Sequence, residues 1–228
     1  MNTPVVRVVD LWKEYRENGQ AVTQALRGAN LEVAPGEVVA LFGKSGSGKT
    51  TLLNLLAGLD RPTRGTVEIN GRSLAELGEA GRTELRRSRL GFIFQFFNLL
   101  PTLTAYENVF LALELAGRIQ PQAARDALER VGLKGKEHRY PHELSGGEQQ
   151  RVAVARAIVK EPSLILADEP TGNLDTATGD QILQLITERC RQGGTSLLMV
   201  THTPLACRYA DRILKMVDGV VTEDEKCS

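Results

Sequence analysis

Short apolar runs alternate with helical patterns along most of this chain. The clearest apolar runs are Val38–Phe42, Leu164–Asp168 and Ser196–Thr201, which have the length and composition of buried strands. Helices are predicted over residues 106–117, 122–131, 147–160 and 178–190. Strands that alternate with helices are typical of a largely parallel α/β sheet.

The first part of the chain has more β character than the rest. Strands are predicted there over residues 5–9, 28–33 and 66–70. A hairpin turn is predicted at Asn70 and Gly71. The middle part, residues 96–158, is predicted to be mainly helical and to interrupt the α/β core. We therefore expect one domain over residues 1–228, in which residues 1–95 and 159–228 form the core with an antiparallel β part.

A glycine-rich loop follows the first of the apolar runs. Its residues match the spacing G-x-x-x-x-G-K-[ST], in which backbone N–H groups wrap phosphate oxygens while a lysine and a hydroxyl add charge and a metal ligand. An apolar strand precedes the loop and a helix is predicted directly after it, as the motif requires. The alternative is an ordinary strand-to-helix turn. The predicted nucleotide-binding residues here are Gly43, Lys44, Ser45, Gly46, Ser47, Gly48, Lys49, Thr50 and Thr51.

Two acidic residues stand at the end of the second apolar run. Asp168 and Glu169 follow it directly, where open α/β sheets bind their ligands. Asp168 is predicted to hold Mg²⁺, through water, and Glu169 to orient or deprotonate the water that attacks the γ-phosphate. The alternative is that both acids only cap the turn before Pro170.

A second glycine-containing segment precedes the helix predicted over residues 147–160. Ser145 and Glu148 have the spacing of a capping box, so an ordinary helix start accounts for part of it. Gly146 and Gly147 cost helix stability, which indicates a backbone that approaches something closely. A helix N-terminus with exposed N–H groups attracts an anion. We therefore predict a second phosphate-binding element at residues 145–147.

Charge and length exclude some classes of function. Basic and acidic side chains number 28 each, so the sequence gives no indication of a nucleic-acid partner. No apolar stretch approaches the roughly 18 residues needed to span a bilayer. The chain is long enough to bury a substantial core.

Taken together, these motifs resemble the ATPase subunits of ABC transporters over essentially the whole chain. Residues 144–150 resemble the signature motif of that family, and residues 173–175 the loop that crosses its dimer interface. By the same resemblance, Tyr15 stacks on adenine, Gln95 senses Mg²⁺ and the attacking water, and His202 contacts the γ-phosphate. Read without the family, these three would be an exposed aromatic, a solvated glutamine and a structural histidine.

The resemblance implies a fold and a set of roles. The fold is an α/β P-loop NTPase core of the RecA-like type, with an N-terminal antiparallel β subdomain and an inserted helical subdomain. ATP and Mg²⁺ are the implied cofactors. The implied catalytic residues are Glu169, His202 and Gln95; the implied metal ligands are Thr50, Gln95 and Asp168; and the implied nucleotide contacts include Tyr15, Ser145, Gly146 and Gly147.

Partners and location follow from the resemblance as well. It implies a head-to-tail homodimer around two ATP molecules, an integral membrane permease subunit, and a peripheral location on the cytoplasmic face of the inner membrane. Within the family, residues 92–104 and 169–175 look most like the lipoprotein-release and macrolide-export branch, so export or mechanotransmission is expected. An importer ATPase is the alternative, and a soluble ATPase associated with nucleic acid or ribosomes a further one.

A cluster of apolar residues follows Gln95, and we expect ordinary burial for most of it. The family resemblance adds that this region forms a groove for a short helix of the membrane subunit. The cluster consists of Phe94, Phe96, Phe97, Leu99, Leu100, Pro101 and Leu103. Four nearby arginines are expected to form a solvated helix face, with anionic lipid or an acidic partner as the alternative; they are Arg82, Arg86, Arg87 and Arg89.

Two positions depart from the family pattern. Lys44 replaces the small residue or proline often found in the loop, which adds charge near the phosphates. Thr203 follows the histidine where the family often has aspartate, so a different local turn is expected. Neither departure removes a catalytic group.

Overall fold

The computed structural model describes residues 3–15 and 23–223. Its strands are β1 (Val6–Tyr15), β2 (Thr23–Val33), β3 (Val38–Phe42), β4 (Arg64–Ile69), β5 (Arg72–Ser73), β6 (Leu90–Phe94), β7 (Leu164–Asp168), β8 (Ser196–Thr201), β9 (Arg212–Val217) and β10 (Val220–Glu223). Its α-helices are α1 (Lys49–Leu56), α2 (Glu79–Ser88), α3 (Ala105–Leu115), α4 (Pro121–Arg130), α5 (Gly146–Ile158) and α6 (Thr176–Gly193). Short 3-10 turns occupy Pro141–Glu143 and Pro204–Arg208.

A six-stranded sheet forms the centre of the fold, in the order β10-β9-β3-β8-β7-β6. Its strands pair in parallel except β10, which lies antiparallel to β9 at one edge. Alternate residues enter different cores: Val39 and Leu41 pack on one face, and Val38 and Ala40 on the other. Because both faces are buried, the strands read as continuous apolar runs and not as alternating ones. The predicted parallel α/β fold is confirmed.

Each face of this sheet is covered by a different layer. One face packs against α1 and a second, antiparallel sheet of order β2-β1-β4-β5, with Val6, Val67 and Leu52 in the shared core. Helices α3 to α6 cover the other face, for example through Val109, Val152 and Ile182. Of these helices, α3, α4 and α5 come from the chain between β6 and β7, which confirms a helical insert. Its exact limits, residues 96 and 158, stay a prediction.

The antiparallel part differs from the sequence prediction mainly in strand length. The predicted strand 5–9 extends to Tyr15, since the chain bulges at Asp10 and then pairs again with β2. The hairpin prediction is confirmed, because Asn70 and Gly71 have φ values of 51° and 71° between β4 and β5. Both positive angles match the two central positions of a type I′ turn.

The expectation of burial for the apolar cluster after Gln95 is wrong. Phe96 is 72% exposed and Leu100 is 46% exposed, and none of the seven residues is fully buried. The segment is held by polar contacts: the buried Asn108 accepts a hydrogen bond from the Leu100 N–H at 2.8 Å and donates to the Leu103 carbonyl at 3.0 Å. One buried amide therefore fixes the backbone of residues 100–103, while three of the seven apolar residues are exposed and four are partly buried.

None of the helices in the described part of the chain has both the length and the apolar character needed to cross a bilayer.

We expect Gly65→Ala to destabilise the fold strongly. Gly65 has a φ of +86°, and a Cβ there would lie 2.1 Å from the carbonyl oxygen of Asp10 in the bulge of β1. Strain and overpacking together predict a loss of about 3 kcal/mol in the free energy of unfolding, measured in urea. Gly36→Ala is the matched control, since Gly36 has a φ of +74° but open space around it. Its expected cost is about 1 kcal/mol; equal costs would contradict the packing argument.

Candidate active site

The loop between β3 and α1 is shaped by two glycines with positive φ. Gly46 has a φ of +80° and no atom near its missing Cβ, so its backbone is open to a ligand. Gly48 has a φ of +106°, and a Cβ there would lie 2.4 Å from the Ala25 carbonyl oxygen. Gly48 is also the N-cap of α1 and makes no side-chain cap. The first N–H groups of α1 therefore stay available to an anion.

Lys49 is buried at the start of α1 without a counter-charge. Its Nζ donates hydrogen bonds to the carbonyl oxygens of Gly43 at 2.6 Å and Lys44 at 3.1 Å. No carboxylate forms an ion pair with it in the part of the chain that the structure describes. A buried ammonium group held only by neutral carbonyls favours an anionic ligand. A polyphosphate fits this site.

Asp168 and Thr50 face each other across the loop. The Thr50 hydroxyl donates to Asp168 Oδ2 at 3.4 Å. Burial raises the pKa of Asp168, and the negative charge of Glu169 adds to this, while the Thr50 hydrogen bond and the charge of Lys49 oppose it. A bound cation would favour the ionised carboxylate. Hydroxyl and carboxylate oxygens are the donors that Mg²⁺ prefers, so these residues fit such an ion.

Glu169 is held in an unusual conformation at the end of β7. Its φ is 47°, although it is not a glycine, and its N–H donates to the Val200 carbonyl at 2.9 Å. Its Oε2 lies 2.9 Å from His202 Nδ1 and accepts from the His202 N–H at 3.2 Å. Strained backbone of this kind persists only where neighbours hold it. The histidine and β8 thus fix the carboxylate of Glu169.

Gln95 is held by the loop that follows β7. Its Nε2 donates to Asn173 Oδ1 at 3.3 Å, and Asn173 Nδ2 donates to the Gln95 carbonyl at 3.0 Å. Gly172 packs closely against the same side chain, since a Cβ there would lie 2.7 Å from Gln95 Nε2. Gln95 and the loop of residues 173–175 therefore form one unit.

These residues surround a cleft of about 650 Å³ at the carboxyl edge of the sheet. The lining residues are Thr23, Gln24, Ala25, Gly43, Ser45, Gly46, Gly48, Lys49, Thr50, Thr51, Gln95, Asp168, Glu169 and His202. No sequence motif indicated Thr23, Gln24 and Ala25, the three lining residues that belong to β2. Every predicted catalytic and metal-binding residue lies in this cleft. Their roles stay a prediction.

Six of the predicted nucleotide contacts do not line the cleft. Lys44 is exposed, and Ser47 is buried behind the loop with a hydroxyl that has no partner among the described residues. The others are Tyr15 and residues 145–147.

Tyr15 is fixed by two polar residues that no motif indicated. Its hydroxyl donates to Asp60 Oδ2 at 2.9 Å, and the Lys13 Nζ lies 4.7 Å from the centre of its ring. Partial burial and the hydrogen bond to Asp60 raise the pKa of Tyr15. The ring is 39% exposed, so an aromatic surface remains beside the glycine loop for stacking.

The segment at residues 145–147 begins α5 with the predicted capping box. The Ser145 hydroxyl accepts from the Glu148 N–H at 3.3 Å, and Glu148 Oε2 accepts from the Ser145 N–H at 2.9 Å. Glycine occupies positions 146 and 147 for different structural reasons. A Cβ at Gly147 would lie 2.7 Å from Thr178 Cγ2, whereas one at Gly146 would meet nothing closer than 3.6 Å. Gly147 is thus explained by packing, and Gly146 leaves backbone accessible.

The loop, the two acids and the histidine at one edge of a parallel sheet define a P-loop ATPase. Residues 26–172 match the ABC transporter family, and because this is more than half of the chain, the protein belongs to that family. It is an ABC ATPase that binds ATP. This confirms the resemblance found in the sequence.

Several curated relatives cover nearly the whole chain. An uncharacterized ABC transporter ATP-binding protein of Mycobacterium tuberculosis is 49% identical, over 95% of this chain and 88% of the relative. The lipoprotein-releasing system ATP-binding protein LolD of Geobacter metallireducens is 46% identical, over 96% of this chain and 99% of its own length.

Solved structures of ABC cassettes share the fold. The ATP-binding cassette MJ0796 has been solved as a dimer in a post-hydrolysis state bound to ADP and Pi. It superposes with a TM-score of 0.88 at 39% identity, covering 98% of this chain and 99% of that one. CbiO1 from Clostridium perfringens, part of the transporter complex cbiONQ, superposes with a TM-score of 0.84 at 29% identity, covering 96% of this chain and 87% of that one.

A pair of substitutions tests the packing reason for Gly147. Gly147→Ala should destabilise the protein by about 1 kcal/mol, because overpacking against Thr178 outweighs the gain in helix propensity. In a Thr178→Ser background the clashing methyl group is gone, so the same change should stabilise by about 0.5 kcal/mol. Unfolding in urea measures both values. An unchanged cost in the serine background would show that Thr178 is not the reason.

Proposed function

We propose that two copies of this chain pair head to tail around two ATP molecules, and that closure of this dimer drives a separate integral membrane subunit. The start of α5 supports the pairing, because residues 145–147 do not line the cleft of their own protomer. The capping box occupies the N–H groups of Ser145 and Glu148, so the backbone of Gly146 between them is the part that suits a phosphate held by the other copy. The dimeric structure of a similar cassette supports it further.

The single observation that carries the catalytic proposal is the position of Glu169. Its carboxylate lies in the same cleft as Lys49 and is held by His202, whose Nδ1 is 2.9 Å away. A carboxylate fixed beside a phosphate-binding lysine is placed to orient or deprotonate water. His202 then has two roles, since it holds Glu169 and reaches the γ-phosphate.

The other side chains of the cleft bind and orient. Lys49 and the loop amides hold the β- and γ-phosphates, and Tyr15 stacks on adenine. Mg²⁺, when bound, neutralises phosphate charge; Thr50, Asp168 and Gln95 would hold it. Loss of the γ-phosphate removes the anion that both protomers share. ATP therefore stabilises the closed dimer more than ADP does. This is the differential affinity that a conformational switch requires.

A groove of about 310 Å³ beside Gln95 is the proposed docking site of the membrane subunit. Its lining combines the apolar side chains of Phe92, Phe94 and Leu115 with four cationic side chains. The cationic residues are Arg86, Arg87, Arg156 and Lys160. Burial and the positive charge of Arg156 lower the pKa of Lys160 to about 8. A short helix with an apolar face fits this groove, and docking there places the chain peripherally on the cytoplasmic face of the membrane.

Export is the favoured transport class. The LolD proteins, at 46% identity over nearly their full length, carry the name of a lipoprotein-releasing system. Lipoprotein, lipid, peptide or drug export is therefore proposed over import. The balanced charge of the chain gives no support to a nucleic-acid partner.

Replacing Glu169 by glutamine should separate ATP binding from hydrolysis. We expect Glu169→Gln to lower kcat by at least about 100-fold, because the amide cannot accept a proton from water. ATP should still bind, so a stable ATP-bound dimer should accumulate and be visible by size-exclusion chromatography with light scattering.

The matched control is Glu161→Gln, an exposed carboxylate with a side chain 85% accessible. It should keep kcat within about twofold. Normal hydrolysis by Glu169→Gln would refute its catalytic role, and a strictly monomeric ATP-bound variant at high concentration would refute the head-to-tail pairing.

Charge reversal in the groove should release the membrane subunit. Wild-type protein purified from native membranes in mild detergent should retain an integral subunit, identified by mass spectrometry. Arg87→Glu should reduce that recovery about tenfold, because it reverses a charge that lines the proposed interface. Its ATP affinity should be unchanged. The control Lys215→Glu reverses an exposed charge on β9 and should retain the subunit; equal recovery by both variants would place the docking surface elsewhere.

A further inference from the structure

Two consecutive residues after Gln95 have left-handed backbone although neither is glycine. Phe97 has a φ of 59° and Asn98 a φ of 49°. Bulky side chains disfavour this region, so such a pair persists only where surrounding groups hold it. Asn98 is exposed, so burial of its side chain does not account for this conformation.

This strained turn is continuous with the position of Gln95. The Phe97 N–H donates to the Phe94 carbonyl at 3.2 Å and closes a tight turn in which Gln95 is the first central residue. The backbone conformation of Phe97 is therefore linked to the position of Gln95, whose side chain donates a hydrogen bond to Asn173.

Arg156, near the end of α5, holds both strained residues. Its guanidinium donates to the Phe97 carbonyl at 2.8 Å and also to the Asn98 carbonyl. Its guanidinium forms no ion pair with a carboxylate of the described residues, and its charge also lowers the pKa of the neighbouring Lys160. Charge-assisted hydrogen bonds from one rigid guanidinium to two adjacent carbonyls fix their relative orientation.

The same turn also contacts the opposite end of α5. The Phe97 ring reaches to 3.7 Å from the position that a Cβ of Gly146 would occupy. The turn therefore lies along α5, held by Arg156 near its end and packed beside Gly146 at its start.

We propose that Arg156 is a positioning residue for ATP hydrolysis. By holding Phe97 and Asn98 in left-handed conformation, its guanidinium places Gln95 in the cleft and sets the Phe97 ring against the start of α5. In the proposed head-to-tail dimer, the turn at residues 97 and 98 thus links the cleft that holds one nucleotide with the start of α5, which contacts the nucleotide of the other protomer. The inference rests on the proposed dimeric ATPase.

Four variants test this role through kcat, the ATP affinity measured by equilibrium titration, and thermal unfolding. Arg156→Gln removes the two hydrogen bonds from the guanidinium to the Phe97 and Asn98 carbonyls. Asn98→Val keeps Arg156 and its hydrogen-bond donors. It disfavours the left-handed conformation at residue 98, because a β-branched residue rarely adopts positive φ. Asn98→Gly combined with Arg156→Gln supplies a residue that adopts positive φ freely. The control Arg118→Gln removes a comparable bond, from Arg118 to the Lys160 carbonyl at 3.0 Å, outside the turn.

We expect Arg156→Gln to lower kcat about tenfold, because Gln95 is displaced, with an ATP dissociation constant within about threefold of wild type. Asn98→Val should lower kcat by a similar factor. Asn98→Gly should restore the kcat of Arg156→Gln to within about threefold of wild type. Arg118→Gln should keep kcat within about twofold.

A purely structural role for Arg156 predicts a different pattern, and that pattern would overturn the inference. It would leave kcat per folded molecule unchanged in Arg156→Gln, or show an equal loss in Arg118→Gln, or give no recovery with Asn98→Gly. Should Arg156→Gln not fold, Asn98→Val decides, and wild-type kcat in that variant would also overturn the inference. A wild-type protein without ATP turnover would instead refute the proposed function itself.

Discussion

The register of the parallel sheet fixes where chemistry can occur in this protein. Phe42 at the end of β3 pairs with Thr201 at the end of β8, and Phe94 at the end of β6 pairs with Asp168 at the end of β7. The residues that follow these strand ends therefore meet at one edge, although they are far apart in the chain. The glycine loop, Gln95, Glu169 and His202 all occupy such positions. A shift of one strand by a residue would separate the carboxylate from the lysine.

Three of the described non-glycine residues with positive φ lie at or beside the same edge. Glu169, Phe97 and Asn98 are non-glycine residues with positive φ, and each is held by hydrogen bonds from another element. Glycine would satisfy these angles without cost, so the side chains present there must contribute something that glycine cannot. For Glu169 this is the carboxylate itself. For residues 97 and 98, the left-handed conformation is held by hydrogen bonds from Arg156 on α5. We expect this conformation to change when α5 moves.

Much of the fold and most of the cleft could be predicted from sequence, for a physical reason. Buried parallel strands are continuous apolar runs, and phosphate loops require glycines at fixed spacing, so β3, β7, β8 and residues 43–50 are recognisable locally. The fixing of Tyr15 by Lys13 and Asp60 depends on the pairing of β1 and on a later loop, and no local pattern encodes it. The exposure of Phe96 was also not predictable, because apolar residues are expected to be buried and no local pattern marks this one as exposed.

The glycines at the start of α5 show how a motif can combine two requirements. Both cost helix stability, and from sequence alone both could be assigned to phosphate binding. The structure separates them, since Thr178 on α6 leaves no room for a side chain at Gly147 while Gly146 is free of such contact. Close packing of α5 against α6 also fixes the direction in which the helix N-terminus points. In the proposed dimer an accessible backbone could bind the partner's phosphate only if its direction is fixed, so the close packing at Gly147 would support binding at Gly146. The packing of α5 on α6 and the hydrogen bonds from Arg156 to residues 97 and 98 therefore act on one helix, whose start would contact the partner's nucleotide in the proposed dimer.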